Sequence, residues 1–302
     1  MKTIQNSVLA VVILLVISGC ASVNQNAAKK IGGFSAATDL AAQNTSATFE
    51  MLDREHFNLT VARDVAEGGW EKLNAKSIAP FLNPEDVQAR LLVLQGLQAY
   101  AQKLSALMGN EQMDAFDKAT VDLSASLKNV DDEFVKSKFL STAPLSSSEI
   151  RIASTAINAI GHWIIDVKRE KGVKASIQEM NPFVTNTAVL LARDFVVLRR
   201  NLATTYDEAV MAQKVFVKNN IATMDAATKR NEIKAIADLI IEANQADHAM
   251  ALMQKSIGDL GETHAQLATA FDKSSVKLDQ LLADLTVEGK RVEKFYDSIG
   301  SK

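Results

Sequence analysis

The chain has 302 residues, of which 47% are hydrophobic and 23% charged, and its formal net charge is −3. This is a globular composition and not that of a disordered chain, and a net negative charge argues against a nucleic-acid partner. Only 4 prolines and 13 glycines occur, and 6% of the residues are aromatic. A β-rich fold needs more turn formers and more strand-favouring side chains, so we expect an all-α protein.

The first twenty residues have the pattern of an export signal. Lys2 precedes the wholly apolar run from Val8 to Ile17, and Ser18 and Gly19 follow with small side chains. That order of charge, apolar segment and small residues is typical of a secretory signal peptide. The apolar run is also shorter than the about 20 residues that a membrane-spanning helix needs. We therefore expect residues 1–19 to be cleaved.

Cys20 is the single cysteine of the chain and follows this apolar run directly. The stretch Ile17-Ser18-Gly19-Cys20 resembles the lipobox of bacterial lipoproteins. The resemblance implies cleavage before Cys20 and covalent lipid on its thiol, and hence anchoring to a membrane. With two or three acyl chains such an anchor is stable. In the sorting pattern of Gram-negative lipoproteins, Ala21 in place of an aspartate implies the outer membrane, and we expect the protein to face the periplasm.

The rest of the chain is predicted to consist of a tether and one helical domain. Residues 21–33 are small and polar, so we expect residues 20–33 to form the lipidated cysteine and a flexible tether of up to roughly 40 Å. Gly32 and Gly33 mark the expected start of a long helix. Residues 34–302 are then predicted to form one α-helical bundle.

Apolar residues spaced three and four apart predict helices through most of this domain. The first ends near the Glu-Gly-Gly at 67–69, and the next begins at Asn83-Pro84 and ends at Gly109. Further stripes cover 113–130, 150–167, a segment that starts at Asn181-Pro182 and reaches residue 224, 233–271 and 278–295. The lengths of the stripes predict an elongated antiparallel bundle with long, coiled-coil-like helices.

His56 can share a helix face with two acidic residues. Glu50 and Asp53 lie six and three residues before it, so the three side chains can share one broad helix face. Metal sites in helical bundles usually contain a Glu-x-x-His element, and no histidine of this chain has one. We therefore expect His56 to be a partly buried or solvated helix histidine and not a metal ligand.

The remaining histidines also favour structural roles. His264 lies on the longest apolar stripe together with Asp247, and polar residues at such positions usually fix helix register. His162 and Asp166 are one turn apart, close enough to pair on a helix surface. His248 has no acidic residue three or four positions away and is predicted to be ordinary.

No other motif predicts chemistry. A nucleophile elbow is absent, and the only cysteine belongs to the predicted anchor. Gly258 and Gly261 lack the strand and the lysine of a phosphate loop, so we expect them to allow close helix packing. Arg199-Arg200, Lys214 and Lys218, with acidic residues such as Asp194 among them, are predicted to form a solvated face. We therefore expect no catalytic, cofactor-binding or metal-binding residue.

These observations favour a membrane-anchored envelope lipoprotein with a non-catalytic structural or protein-binding role. The expected partner is another envelope protein or a second copy of the chain. An apolar stripe left exposed after the bundle has packed would support this role. The alternative is a carrier of a lipid or other apolar ligand in a cavity between helices, for which nine methionines are available.

Overall fold

The computed structural model describes residues 25–74, 77–108, 173–270 and 275–300. Within these ranges the chain forms five α-helices, one short 3-10 helix at Trp70–Lys72 and no strand, which confirms the all-α prediction. The α-helices are α1 Gln25–Ala66, α2 Pro84–Met108, α3 Val173–Asn220, α4 Ala226–Ala270 and α5 Val276–Gly300. The helices predicted at 113–130 and 150–167, and the His162–Asp166 pair, lie outside the described residues.

Helices α3 and α4 form a long antiparallel hairpin. They contain 48 and 45 residues, so each is about 70 Å long at a rise of about 1.5 Å per residue. Arg199 pairs with Asp247, and Gln213 with Glu232, which fixes the antiparallel register. The carboxylate of Asp225 caps the start of α4. The long helix predicted at 233–271 is thereby confirmed, with an earlier start.

The other helices pack around the lower part of this hairpin. Lys30, near the start of α1, donates to the carbonyl of Ala270 at the end of α4. Asn44 of α1 donates to the carbonyl of Gly289 in α5. All five helices contribute to one core, whose most enclosed residues include Phe34, Leu52, Leu97, Tyr100, Leu198, Met253, Ile257 and Leu278. The predicted elongated bundle is confirmed.

Helix α1 begins earlier than the sequence indicates. Residues 25–33 were predicted to belong to the flexible tether, but the helix starts at Gln25 and continues through Gly33. Ile31 is fully buried, and Lys30 is buried while its ammonium group bonds to Ala270. Packing against the end of α4 therefore outweighs the low helix propensity of two adjacent glycines.

The predicted helix start at Asn181-Pro182 is also wrong. Helix α3 begins at Val173 and runs through Pro182 without a break. Ile177, in the turn before the proline, is fully buried. The side chain of Asn181 faces His264 of α4 instead of capping a helix. Tertiary contacts on both sides of Pro182 thus stabilise a helix that the local sequence does not favour.

Two other predicted boundaries are confirmed. Helix α1 ends at Ala66, and Gly68 follows with a φ of 78°, a left-handed conformation that suits glycine at the end of a helix. Helix α2 starts at Pro84, directly after Asn83. Proline is favoured in the first turn because it has no N–H to leave unpaired.

Candidate functional site

His264 lies at the centre of a buried polar cluster that joins three helices. Its side chain is completely inaccessible to solvent. Nε2 lies 2.7 Å from the hydroxyl of Tyr100 in α2, and Nδ1 lies 3.1 Å from Oδ1 of Asn181 in α3. The ring of Phe34 in α1 packs against the imidazole at a centroid distance of 5.4 Å. The position of His264 on the apolar stripe is therefore as predicted.

The cluster is uncharged. Burial lowers the pKa of His264 to about 3, and burial raises the pKa of Tyr100. Because Asn181 presents its carbonyl oxygen, Nδ1 of His264 carries the proton and Nε2 accepts from the Tyr100 hydroxyl. Both ring nitrogens are engaged by side chains of the neighbouring helices. The geometry suits the fixing of helix register.

A buried ion pair links α2 to α3. Nε of Arg90 donates to Oδ2 of Asp194 at 2.7 Å, and Nη1 donates to the carbonyl of Asp86. Burial raises the pKa of Asp194 to about 6, while the charge and the hydrogen bond of Arg90 act to lower it. Asp194 was predicted to lie on a solvated face, and this prediction is wrong because α2 covers it.

Glu50, Asp53 and His56 have different surroundings in the structure. The imidazole is half-buried and packs against the ring of Phe81 at 5.4 Å. Asp53 accepts the backbone N–H of Phe81, and Glu50 is exposed. Burial lowers the pKa of His56. In the part of the chain that the structure describes, no three His, Cys, Asp or Glu residues are grouped closely enough to hold a metal.

Gly261 and Gly289 allow close helix packing, whereas Gly258 does not. A Cβ atom on Gly261 would lie 2.8 Å from Cβ of Ala188 in α3, which confirms the packing role predicted for this glycine. Gly258 faces open space, so the same prediction is wrong there. At Gly289 a Cβ atom would overlap the side chain of Leu40 in α1. No sequence pattern indicates this last contact.

The upper part of the hairpin carries an exposed apolar surface. Helix α1 ends close to the level of Glu208, to which Arg63 pairs at 2.9 Å, and α3 continues to Asn220. In this part Ile233 is 53% exposed and Ile240 is 42% exposed. Both residues belong to the apolar stripe predicted at 233–271, and this part of the stripe is exposed. We define the distal face as Lys214, Lys218, Lys229, Ile233, Ile236 and Ile240.

Two recesses lie along the hairpin. The smaller, of about 240 Å³, lies between α3 and α4 and is lined by residues that include Leu202, Ala243 and Met250. The larger, of about 740 Å³, lies beside the end of α1 and is lined by residues that include Arg63 and Met211. Both are grooves on the surface and not enclosed cavities.

Comparison with known proteins gives no match: no family model, curated protein or solved structure is similar to this chain. Among the described helices, none is long and apolar enough to span a membrane. Cys20 and the predicted signal peptide lie outside the described residues. The distal face is the candidate site because it combines exposed apolar side chains with exposed lysines.

Proposed function

We propose that this protein is a lipid-anchored component of the cell envelope that acts by binding or scaffolding and not by catalysis. The anchor is Cys20, on the strength of the Ile17-Ser18-Gly19-Cys20 sequence. The observation that carries the binding role is the distal face, where Ile233 and Ile240 are exposed one above the other on α4. Contiguous exposed apolar residues are a feature of interaction sites.

The early start of α1 brings the bundle close to the proposed anchor. Only residues 21–24 separate Cys20 from Gln25, a span of at most about 18 Å. The other end of α1, at Ala66, lies about 60 Å further along the helix axis. An anchor at Cys20 would therefore hold one end of the bundle near the membrane and leave the hairpin free to extend from it.

Lipidation can be tested with two substitutions in the signal region. Cells expressing the wild type, Cys20→Ser or Ser18→Ala are fed an alkyne-tagged fatty acid and then fractionated. We expect the wild type and Ser18→Ala, which keeps a small residue in the motif, to be labelled and bound to membrane. Cys20→Ser should be unlabelled and not bound to membrane. A labelled Cys20→Ser variant, or an unlabelled wild type, would contradict the proposed anchor.

The proposed location is the outer membrane, with the bundle facing the periplasm. It is supported by Ala21 and holds for a Gram-negative source. Membranes separated on a sucrose gradient should show the wild type with the outer membrane. Ala21→Asp should move the protein to the inner membrane. Wild-type protein in the inner-membrane fraction would contradict this location.

The binding role is tested by chemical crosslinking in intact cells, followed by purification of the wild type and of Cys20→Ser. We expect reproducible recovery of one envelope protein with the wild type and its loss with the unanchored variant. Recovery of a lipid without any protein would instead favour the carrier of an apolar ligand.

A further inference from the structure

We propose that the distal face binds an acidic, amphipathic helix of a partner protein. This inference rests on the proposed binding role and assigns it to a surface. The partner helix would place apolar side chains on Ile233, Ile236 and Ile240, and carboxylates beside the lysines of α3 and α4. Such helix-in-groove contacts are a common mode of peptide recognition.

The lysines of α3 and the isoleucines of α4 lie on the same side of the hairpin. Gln213 of α3 donates a hydrogen bond to Glu232 of α4. These two side chains therefore mark the side of each helix that faces the other helix. Lys214 and Ile233 are the next residues, each rotated by about 100° from the contact. Because antiparallel helices turn in opposite senses when viewed from one end, both rotations lead to the same side.

The apolar part of the distal face forms a continuous stripe. Ile233, Ile236 and Ile240 are spaced three and four residues apart on α4, and Ala243 follows after three more. Ala243 lines the recess of about 240 Å³ between α3 and α4. The stripe therefore leads into a concave groove between two helices, a shape that suits a third helix better than a flat bilayer surface.

The charges on the distal face favour an acidic partner. From Met211 to Ile241 the chain has five basic and three acidic residues, whereas the whole chain has a net charge of −3. Lys214 and Lys218 are exposed, and they lie one turn apart on the same side of α3. Lys229 lies one turn before Ile233 on α4 and is half-exposed. These three lysines border the apolar stripe.

A second copy of the chain is a poorer fit to this surface. Two distal faces brought together would bring six lysines, three from each copy, into one contact to which the face contributes no carboxylate. Like charges at a desolvated contact oppose association. An acidic helix would instead neutralise the lysines while it covers the isoleucines.

The test is photocrosslinking in cells that make the full chain. Benzoylphenylalanine replaces Ala237, an exposed residue of α4 between Ile236 and Ile240, and mass spectrometry identifies the crosslinked segment. We expect one partner segment with apolar residues three and four apart and acidic flanks. The yield should fall at least about tenfold with Ile233→Ser/Ile240→Ser, as expected for residues at the centre of an interface.

Two further variants test whether the charge of the lysines and the position of the apolar residues matter. Lys214→Glu/Lys218→Glu should lower the crosslinking yield at least roughly threefold, because the substitution places like charges together. Val276→Ser removes an apolar residue of α5 that is 85% exposed and should leave the yield unchanged. Circular dichroism of each purified variant shows whether the bundle is folded.

Four results would overturn the proposal. They are a crosslinked segment without acidic flanks, a crosslink to a second copy, a crosslink to residues 109–172 of the same chain, and a crosslink to lipid alone. Fatty-acid labelling of the same cells separates this test from that of the anchor. If the protein is labelled but no partner adduct forms, the proposed binding by the distal face is wrong and the anchor stands. If the adduct forms without fatty-acid labelling, the proposed anchor is wrong and the binding surface stands.

Discussion

Asp194 and His264 affect the stability of the bundle with opposite signs as the pH changes. Burial raises the pKa of Asp194 to about 6, above the roughly 3.9 of an exposed aspartate. Its contribution to stability is therefore present at low pH and lost as the pH rises through 6. Burial lowers the pKa of His264 to about 3, so its contribution is lost as the pH falls below about 6.5.

Between pH 4 and 6 the two contributions therefore change in opposite directions. Asp194→Asn removes one of them, so relative to the wild type we expect the free energy of unfolding to fall, by on the order of 1 kcal/mol per pH unit, as the pH is lowered through this range. His264→Gln removes the other and should give the opposite slope. Urea denaturation at a series of pH values measures both slopes.

Asp247→Asn is the matched control for Asp194→Asn. Asp247 also pairs with an arginine, Arg199, but its side chain is 53% exposed, and exposed pairs contribute at most about 1 kcal/mol. This variant should therefore keep the pH profile of the wild type. If Asp194→Asn and His264→Gln had slopes of the same sign, the proposed opposition between the two buried groups would be wrong.

At the scale of elements, Gly289 allows α1 and α5 to approach closely. Gly289→Ala places a methyl group against Leu40, so we expect a loss of about 1 to 3 kcal/mol in the free energy of unfolding. A Cβ atom at Gly258 of α4 would meet no other atom. Gly258→Ala should therefore raise the free energy of unfolding by up to about 1 kcal/mol, because alanine has the higher helix propensity. Chemical denaturation of both variants measures the difference.

A second substitution, Leu40→Ala, shows whether the effect of Gly289→Ala comes from its overlap with Leu40 or from a change in helix propensity. It frees the space that the new methyl group needs, so Gly289→Ala should be nearly neutral in a Leu40→Ala background. Equal destabilisation by Gly289→Ala in both backgrounds would show that the overlap with Leu40 is not the cause.

The helices could be predicted from the sequence where the local pattern is strong. They could not be predicted where contacts between residues far apart in the chain determine the structure. The apolar stripe of α4 and the Asn83-Pro84 start both have local signals. The burial of Asp194 depends on Arg90, which is 104 residues away, and no local pattern reveals it. The stripe through Ile233 is like that of a buried helix, so the sequence alone does not show that this part remains exposed.

At the scale of the whole molecule, the hairpin has a well-packed lower part and a more exposed upper part. In the lower part of α4, Met250, Met253, Ile257 and Leu267 are completely buried. Stability within one protein varies with such packing, and regions with few buried apolar contacts open without global unfolding. The two parts of the single helix α4 should therefore differ in local stability.

Amide hydrogen exchange of the unbound protein tests this difference within one helix. We expect the amides of residues 233–241 to exchange at least roughly tenfold faster than those of residues 250–267, after correction for intrinsic rates. Low concentrations of urea should accelerate exchange in the lower part, which opens by global unfolding, and should affect the upper part less. Equal protection along α4 would show that the hairpin unfolds as one unit and that its upper part is as well supported as its base.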